Sequence, residues 1–313
     1  LADETLKEKI FFWFLSHLED GSVVDYMKEY LEDMMMQEFQ TPEYLQKKLS
    51  YTEQRAASVS WSDNWSSQYE RKKWALYHIT IMEQLHMSDD EILTYCRKYW
   101  EHSDIRKYCI NYWLEHKNDA EAIAILEESL KLDEKFPGLI VNYLCQLKEL
   151  YKKQGNQKLY RQYLYQLVTD NTKLEDFREL KSVYSNEEWL TLREKIFSEL
   201  SPHKVAVFYQ EEGLYDRLLK YVMSQRGIYE LEKYEKVLAQ HYPEQILTKY
   251  HDFLMKSAQD TADRKTYQEW ADILRRMTAI EGGSECVKEI IAEWHQMYPR
   301  RKAMMQEIDK VKL

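Results

Sequence analysis

Histidine and carboxylate side chains are the groups in this chain that could bind a metal ion or transfer protons. Nine histidines occur, but no two of them stand three or four residues apart, as two ligands on one helix would. Trp294-His295 and His241-Tyr242 each place a lone histidine beside an aromatic residue. Paired carboxylates such as Glu211-Glu212 are sequence neighbours, whereas acid–base catalysis needs two carboxyls facing one pocket. The sequence therefore predicts no catalytic residue and no metal ligand.

Motifs for nucleophiles and cofactors are missing as well. The chain contains no His-Glu-x-x-His, no Gly-x-Ser-x-Gly, no P-loop and no dinucleotide fingerprint. The four cysteines are isolated from one another, unlike the close pairs of a zinc site. We interpret them as reduced core thiols of a cytoplasmic protein, and we expect no bound cofactor. The cysteines are Cys96, Cys109, Cys145 and Cys286.

Two basic clusters could contact a partner. Trp61, Trp65 and Tyr69 recur at intervals of four, and Arg71-Lys72-Lys73 follows them directly. Such a stripe could stack single-stranded bases, but packing of one helix pair on the next is the favoured interpretation. The second cluster, Arg300-Arg301-Lys302, could close a helix end, touch a partner or form a solvated terminus. These nine residues are the candidate interaction surface.

The charge distribution weighs against a general nucleic-acid binder. The formal net charge is −10. Residues 1–70 hold 6 Lys/Arg and 14 Asp/Glu, a net of −8, so residues 71–313 carry only −2. A DNA-binding surface normally has a basic excess, because neutralised phosphates supply most of its non-specific affinity. Nucleic acid remains a possible partner through a local patch, and a protein partner is favoured.

The elements that must position these residues are helices. Only 7 Gly and 5 Pro occur in 313 residues, too few for the many tight turns of a β-sandwich. Apolar residues recur at helical spacing nearly throughout, which predicts a dozen or more helices. Ser88-Glu91 and Ser185-Glu188 fit the capping box. Thr41 and Ser201, each followed by a proline, and Asp119 are predicted to cap helices with their side chains. Gly155-Asn156 is predicted to stop a helix.

An internal echo suggests repeats. The stretch around Tyr160 and Tyr163 is matched around Tyr267 and Trp270, at an offset of 107 residues. The segments 119–132, 139–154 and 156–170 have the length of tetratricopeptide-like helix pairs, although that signature is incomplete. We predict an all-α fold, an α-solenoid of degenerate tetratricopeptide-like helix pairs. Acidic N-terminal helices would occupy residues 1–60 and a continuous helical-repeat body residues 61–313. The alternative is that both parts form one domain.

No segment predicts membrane insertion or export. The longest strongly apolar run, Ile10 to Leu15, has six residues, whereas a spanning helix needs about 20. Acidic residues precede this run where a signal peptide would be basic. We therefore expect a cytoplasmic protein with no membrane partner.

A series of short motifs follows one another along the chain. The motifs are residues 63–76 (DNWSSQYERKKWAL), 123–133 (IAILEESLKLD), 137–139 (PGL), 185–189 (SNEEW), 211–218 (EEGLYDRL), 242–244 (YPE), 291–294 (IAEW) and 298–301 (YPRR). Together they resemble the long helical region that follows the zinc finger in bacterial SWIM zinc-finger proteins. The resemblance implies a cytoplasmic bacterial protein with a tetratricopeptide-like region, placed beside a module that takes part in DNA transactions. The zinc motif of the family is absent from this sequence, so no zinc ligand carries over.

Three functions remain open at this point. We favour a non-enzymatic helical-repeat scaffold for protein–protein interaction, and we expect it to be the helical region of a larger SWIM-type protein. The alternative is a nucleic-acid-associated accessory region that uses local basic and aromatic surface. The third is an enzyme whose helical active site shows no motif.

Overall fold

Helices make up the regular structure of the described residues. The computed structural model describes residues 4–18, 25–58, 65–260 and 262–312. Within these residues it contains 18 α-helices and no β-strand, which confirms the predicted all-α fold. The helical spacing of apolar residues explains this, because each helix can bury one face against its neighbours.

The chain divides into two units, Leu1–Gln166 and Leu167–Leu313, each with its own internal packing. The boundary falls inside α9. The first unit contains α1 (Glu4–His17), α2 (Asp25–Gln37), α3 (Pro42–Ser58), α4 (Trp65–Gln84), α5 (Asp89–Arg97), α6 (Ser103–Glu115), α7 (Asp119–Leu132), α8 (Pro137–Lys153) and most of α9 (Gln157–Asn171).

The second unit begins with the end of α9. Its other helices are α10 (Leu174–Ser182), α11 (Asn186–Glu199), α12 (Pro202–Glu211), α13 (Tyr215–Ser224), α14 (Tyr229–Leu238), α15 (Pro243–Ser257), α16 (Arg264–Met277), α17 (Gly283–Met297) and α18 (Lys302–Ile308). The division of the chain at residue 60 stays a prediction. In the structure α3 and α4 lie on either side of that position and pack on each other, with the Tyr51 and Trp74 rings edge to face at 5.4 Å.

Both predicted capping boxes are confirmed. The Ser88 hydroxyl accepts from the Glu91 amide while the Glu91 carboxylate accepts from the Ser88 amide, and Ser185 and Glu188 repeat the arrangement. Each box satisfies two amides that the first turn of a helix leaves without an intrahelical partner.

The predicted stop at Gly155-Asn156 is also confirmed. Gly155 adopts φ +71°, its amide donates to the Lys152 carbonyl, and the Asn156 amide donates to the Tyr151 carbonyl. These two bonds form a Schellman motif, whose left-handed position suits glycine. The Asn156 carboxamide oxygen then accepts from the Leu159 amide and caps α9. One dipeptide therefore ends α8 and begins α9.

Two predicted side-chain caps need correction. Asn118, not Asp119, caps α7, because its carbonyl accepts the first intrahelical bond and its side chain accepts from Glu121. Asp119 is the first helical residue, and its carboxylate lies 2.7 Å from the Lys153 ammonium. Ser201 precedes α12 as predicted, but its side chain makes no capping bond and instead contacts His203 Nδ1 at 3.1 Å.

The residues of the internal echo occupy matching positions in the two units. Tyr160 and Tyr163 in α9 are buried, as are Tyr267 and Trp270 in α16. Each pair spans three residues on one face of its helix, so both helices turn the same aromatic positions inward. The echo therefore marks two helices with equivalent buried faces.

Candidate functional site

The basic cluster Arg71-Lys72-Lys73 lies near the start of α4. Consecutive helical residues leave the axis about 100° apart, so the three side chains cannot form one face. Lys73 contacts α2, Lys72 contacts the first turn of α6, and Arg71 contacts Glu101, two residues before that helix begins. The cluster is therefore divided between two neighbouring elements.

Lys73 forms the most buried of these contacts. Its Nζ lies 2.7 Å from Glu32 Oε2 and 2.9 Å from Glu70 Oε1, and the Glu32 side chain is only 1% exposed. Burial alone would lower the pKa of Lys73, but the two carboxylates outweigh it and the pKa is raised. Burial would raise the pKa of Glu70, but Lys73 and the Trp74 indole hold it below its usual value. The Lys73 side chain therefore stays protonated, and its ion pair with Glu32 links α4 to α2.

Arg71 and Lys72 are also engaged within the chain. Arg71 Nε donates to Glu101 Oε1 at 3.2 Å, and the guanidinium lies 4.8 Å from the centre of the Tyr99 ring. The Lys72 ammonium lies 2.7 Å from Asp104 Oδ2. Both pairs connect α4 with the first turn of α6 or the residues just before it, so neither cation presents an unbalanced charge to a phosphate.

The predicted aromatic stripe can be followed at one of its three residues. Trp61 lies outside the described residues, and Trp65 begins α4 but its side chain also lies outside them. The Tyr69 hydroxyl donates to Glu29 Oε1 at 3.0 Å. Lys72 and Lys73 approach the Tyr69 ring to 5.6 and 5.8 Å. Tyr69 therefore contacts α2 and its own helix.

A polar cleft of about 370 Å³ lies beside this cluster. Its lining includes Tyr69, Lys72, His102, Asp104 and Phe136. Burial lowers the pKa of His102, against the opposing effect of Glu101. His102 is therefore a neutral imidazole near pH 7, and it stands at the first position before α6.

Beneath the cleft lies a buried network around Arg106, which is 0% exposed. Its guanidinium forms an ion pair with Asp133 and donates from Nε to Ser129 Oγ at 3.0 Å. Asp133 also accepts from the Tyr143 hydroxyl at 2.6 Å. A buried charge needs this set of partners, because desolvation without them is costly. The network joins α6, α7 and α8.

The charges in and around the cleft balance. Three cations, Arg71, Lys72 and Arg106, face three carboxylates, those of Glu101, Asp104 and Asp133. A site for an anionic polymer needs a net positive field. The cleft provides none, and its ion pairs hold the first unit together.

A buried cluster of polar side chains around His78, here called the His78 cluster, was not predicted from the sequence. Thr52 Oγ1 lies 2.9 Å from His78 Nδ1, and His78 Nε2 lies 3.3 Å from Glu53 Oε2. The order hydroxyl, imidazole, carboxylate is that of a nucleophilic triad. However, Thr52 is 0% exposed and its hydroxyl donates to the Lys48 and Leu49 carbonyls of its own helix. No substrate atom can reach it.

The His78 cluster connects three helices. The His78 ring stacks on the Tyr95 ring at 4.1 Å, and Glu53 also lies 3.2 Å from the Lys98 ammonium. Thr52 and His78 are 26 residues apart, on different helices. Their spacing therefore carries no periodic signal, and only the packing of α3 on α4 reveals the contact.

Cys96 and Cys109 form a pair of neighbouring thiols, and the hydrogen bond between them lowers the pKa of Cys109. All four cysteines are free thiols, with Cys96 and Cys109 buried. The hydrogen bond between these two thiols, together with burial, raises the pKa of Cys96. A thiol rather than a thiolate is a weak nucleophile, so Cys96 is held in its unreactive form.

The second basic cluster has one residue with a defined task. The Arg301 guanidinium donates to the carbonyls of Ala258 at 2.6 Å, Asp260 at 3.1 Å and Gln259 at 3.3 Å. These carbonyls follow the end of α15, where helices leave acceptors without partners. Arg301 closes this helix end, while Arg300 and Lys302 are exposed.

An exposed apolar surface on α1 and α2 was not predicted either. Leu6, Ile10 and Trp13 are 50%, 40% and 44% exposed. Their spacing of four and three places them on one stripe of α1. Phe11 and Phe14 of the same helix are buried. A helix that is apolar all round needs contacts on more than one face. The uninterrupted apolar run at residues 10–15 was the sequence feature that indicated such a helix.

Two kinds of feature are absent from the described part of the chain. In residues 4–18, 25–58, 65–260 and 262–312, no group of three or more His, Cys, Asp or Glu side chains is arranged to hold a metal ion. None of the helices described there is both long enough and apolar enough to cross a bilayer.

Comparison with known proteins adds no family to this description. No model of a protein family matches the chain, and no curated protein matches it significantly. The resemblance to SWIM zinc-finger proteins therefore stays a prediction.

Proposed function

We propose that this chain is a non-enzymatic helical-repeat scaffold that binds another protein through α1 and α2. One observation carries the proposal, the exposed stripe of Leu6, Ile10 and Trp13. Met27 and Tyr30 of α2 add further exposed apolar surface, at 39% and 60%. Contiguous exposed apolar residues are a feature of protein interfaces, and tryptophan and tyrosine are enriched at their energetic centres.

The finer architecture in this proposal is an α-solenoid of degenerate tetratricopeptide-like helix pairs. Short turns such as Gly155-Asn156 join successive helices, and α9 and α16 bury equivalent aromatic positions. Repeats of this kind contact mainly their neighbours and leave extended surfaces for partners. Through the resemblance, we also infer a bacterial cytoplasmic setting and a place within a larger SWIM-type protein.

The nucleic-acid alternative has weaker support. Arg71, Lys72 and Lys73 each pair with a carboxylate, and Arg301 closes a helix end. Binding a phosphate would require breaking these internal contacts first. We therefore place protein partners ahead of nucleic acid.

The first experiment identifies the partner at the proposed surface. A photoreactive benzoylphenylalanine replaces Trp13 in the cells that produce the protein, and the adducts are identified by mass spectrometry. Thr80, exposed on α4, carries the same group as the matched control. We expect one discrete protein adduct at position 13 that is absent at position 80. Identical adducts at both positions would count against the proposal.

The second experiment measures affinity with that partner in purified form. The variants Ile10→Ser and Trp13→Ser are expected to weaken binding by about 10-fold or more each, as central interface residues do. Leu190→Ser is the control, because Leu190 is 52% exposed but lies on α11 in the other unit. Thermal melting verifies that all variants fold. Unchanged affinity in the two α1 variants would refute the proposed surface.

A further inference from the structure

The second unit contains a cavity that is separate from the surfaces described above. Its volume is about 540 Å³, and it lies between the start of α14, the end of α15 and one face of α16. Binding sites for small molecules typically have volumes of about 300–1,000 Å³. The cavity is therefore large enough for a compact organic ligand.

The inner wall of the cavity is apolar and aromatic. Ile228, Phe253, Trp270 and Ile273 contribute to it. Trp270 is held in place by its neighbours, with its ring 5.3 Å from the Tyr267 ring and 5.6 Å from the Trp294 ring. Trp270 is 4% and Ile273 6% exposed, so this part of the wall belongs to the packed core, while Ile228 and Phe253 are half-buried. The apolar wall of the cavity suits the hydrocarbon part of a ligand.

The rim of the cavity is acidic. Four carboxylates line it, those of Glu232, Asp260, Glu269 and Asp272, against one cation, Arg276. Their formal charges sum to −3.

Three of the four rim carboxylates form exposed ion pairs with nearby cations. Arg276 pairs with Glu232 and lies over the Tyr250 ring at 5.7 Å. Asp272 pairs with Arg275, and Glu269 lies 3.9 Å from Lys265, whose side chain is 84% exposed. Arg301 is close to Asp260 but is used by backbone carbonyls. Exposed pairs of this kind are weak, and the Asp260 end of the rim remains negative.

We propose that this cavity binds a small organic cation, an ammonium group carried on an apolar body. The apolar body would lie against Phe253 and Trp270, and the ammonium group would face Asp260 and Glu269. Aromatic walls and carboxylates both favour a cation over a neutral molecule of equal size. The hydroxyls of Ser257 and Thr266, which also line the cavity, can accept hydrogen bonds from an ammonium group. An anion would be repelled by the rim.

The test compares two ligands of nearly equal shape. Fluorine NMR follows the binding of 4-fluorobenzylamine, which is cationic at neutral pH, and of 4-fluorobenzyl alcohol, which is neutral. The full chain is used. We expect the amine to bind about 10-fold more tightly than the alcohol, and added salt to reduce this preference. Equal affinity for the two ligands would overturn the proposal.

Variants locate the site. Asp260→Asn and Glu269→Gln remove rim charge without changing side-chain size, and each is expected to weaken the amine by about 3-fold while leaving the alcohol unaffected. Glu285→Gln is the control, because Glu285 is 74% exposed on α17 and does not line the cavity. Amine affinity that is insensitive to the two rim variants, or equally sensitive to Glu285→Gln, would show that the cavity is not the site.

Discussion

The ammonium of Lys73 lies 2.7 Å from the carboxylate of Glu32, across 41 residues of sequence. The exposed fractions are 12% for the Lys73 side chain and 1% for the Glu32 side chain, so solvent screens this pair poorly. A residue that the sequence places in a basic surface cluster thus connects two helices of the first unit.

Removing this contact is expected to destabilise the protein. Lys73→Met leaves the Glu32 carboxylate buried without its cation, and we expect a loss of about 2–4 kcal/mol in the free energy of unfolding. The measurement is urea denaturation followed by circular dichroism. Lys265→Met is the control, since its carboxylate partner lies 3.9 Å away on an exposed surface, and it should change stability by less than about 0.5 kcal/mol. Similar losses in both variants would contradict this account.

A change at Gly283 is expected to be severe. Gly283 begins α17, and a Cβ there would overlap the Met277 carbonyl oxygen at the end of α16. Gly283→Ala must therefore separate two helix ends, and we expect a loss of about 2 kcal/mol or more. Gly138→Ala is the matched control, because nothing lies within 4 Å of its added methyl group. The control should stabilise by about 0.5–1 kcal/mol, since alanine restricts the unfolded chain. Equal effects at the two glycines would argue against the close approach.

Arg301 is expected to matter more than its neighbour Arg300. Arg301→Ala removes donors to three carbonyls after α15, and the expected loss is about 1–3 kcal/mol. Arg300→Ala changes an exposed side chain and should be neutral within about 0.5 kcal/mol. Thermal melting of the two variants, measured side by side, compares their losses of stability. A larger effect at Arg300 would mean that the helix end is closed in another way.

Stability is expected to fall as the pH decreases below about 6.5. Burial lowers the pKa of His78, although Glu53 and the Leu49 carbonyl oppose this and Lys98 reinforces it. Burial also lowers the pKa of His102. The unfolded chain therefore takes up protons at a higher pH than the folded chain. The stability that these neutral imidazoles contribute is present above the unfolded pKa and is lost below it.

Urea denaturation between about pH 7.5 and pH 5.5 measures this slope, which is at most ~1.4 kcal/mol per pH unit for each histidine. His78→Gln should remove the contribution of one imidazole and flatten the curve. A variant with the original slope would exclude His78 as a source of the pH dependence.

Some of the contacts described above could be predicted from the sequence, and others could not. Ser88-Glu91 and Gly155-Asn156 act through groups a few residues away, so their motifs predict their contacts directly. Asp119 shows that such motifs can be wrong by one residue. The neighbouring Asn118 is an equally good capping residue, and it is Asn118 that caps α7. Thr52 and His78 meet only because α3 packs on α4, and no local pattern encodes a distance across 26 residues.

The sequence by itself determined the all-α fold, because helical periodicity and scarce glycine and proline act over single turns of chain. It also determined several helix ends for the same reason. The tertiary structure decided how each charge is used. Lys72, Lys73 and Arg301 carry the same charge in any fold, but the carboxylates and carbonyls of distant helices turned them into internal contacts. The net charge near the cavity and the exposure of Trp13 likewise depend on which faces pack together, a property of the whole chain.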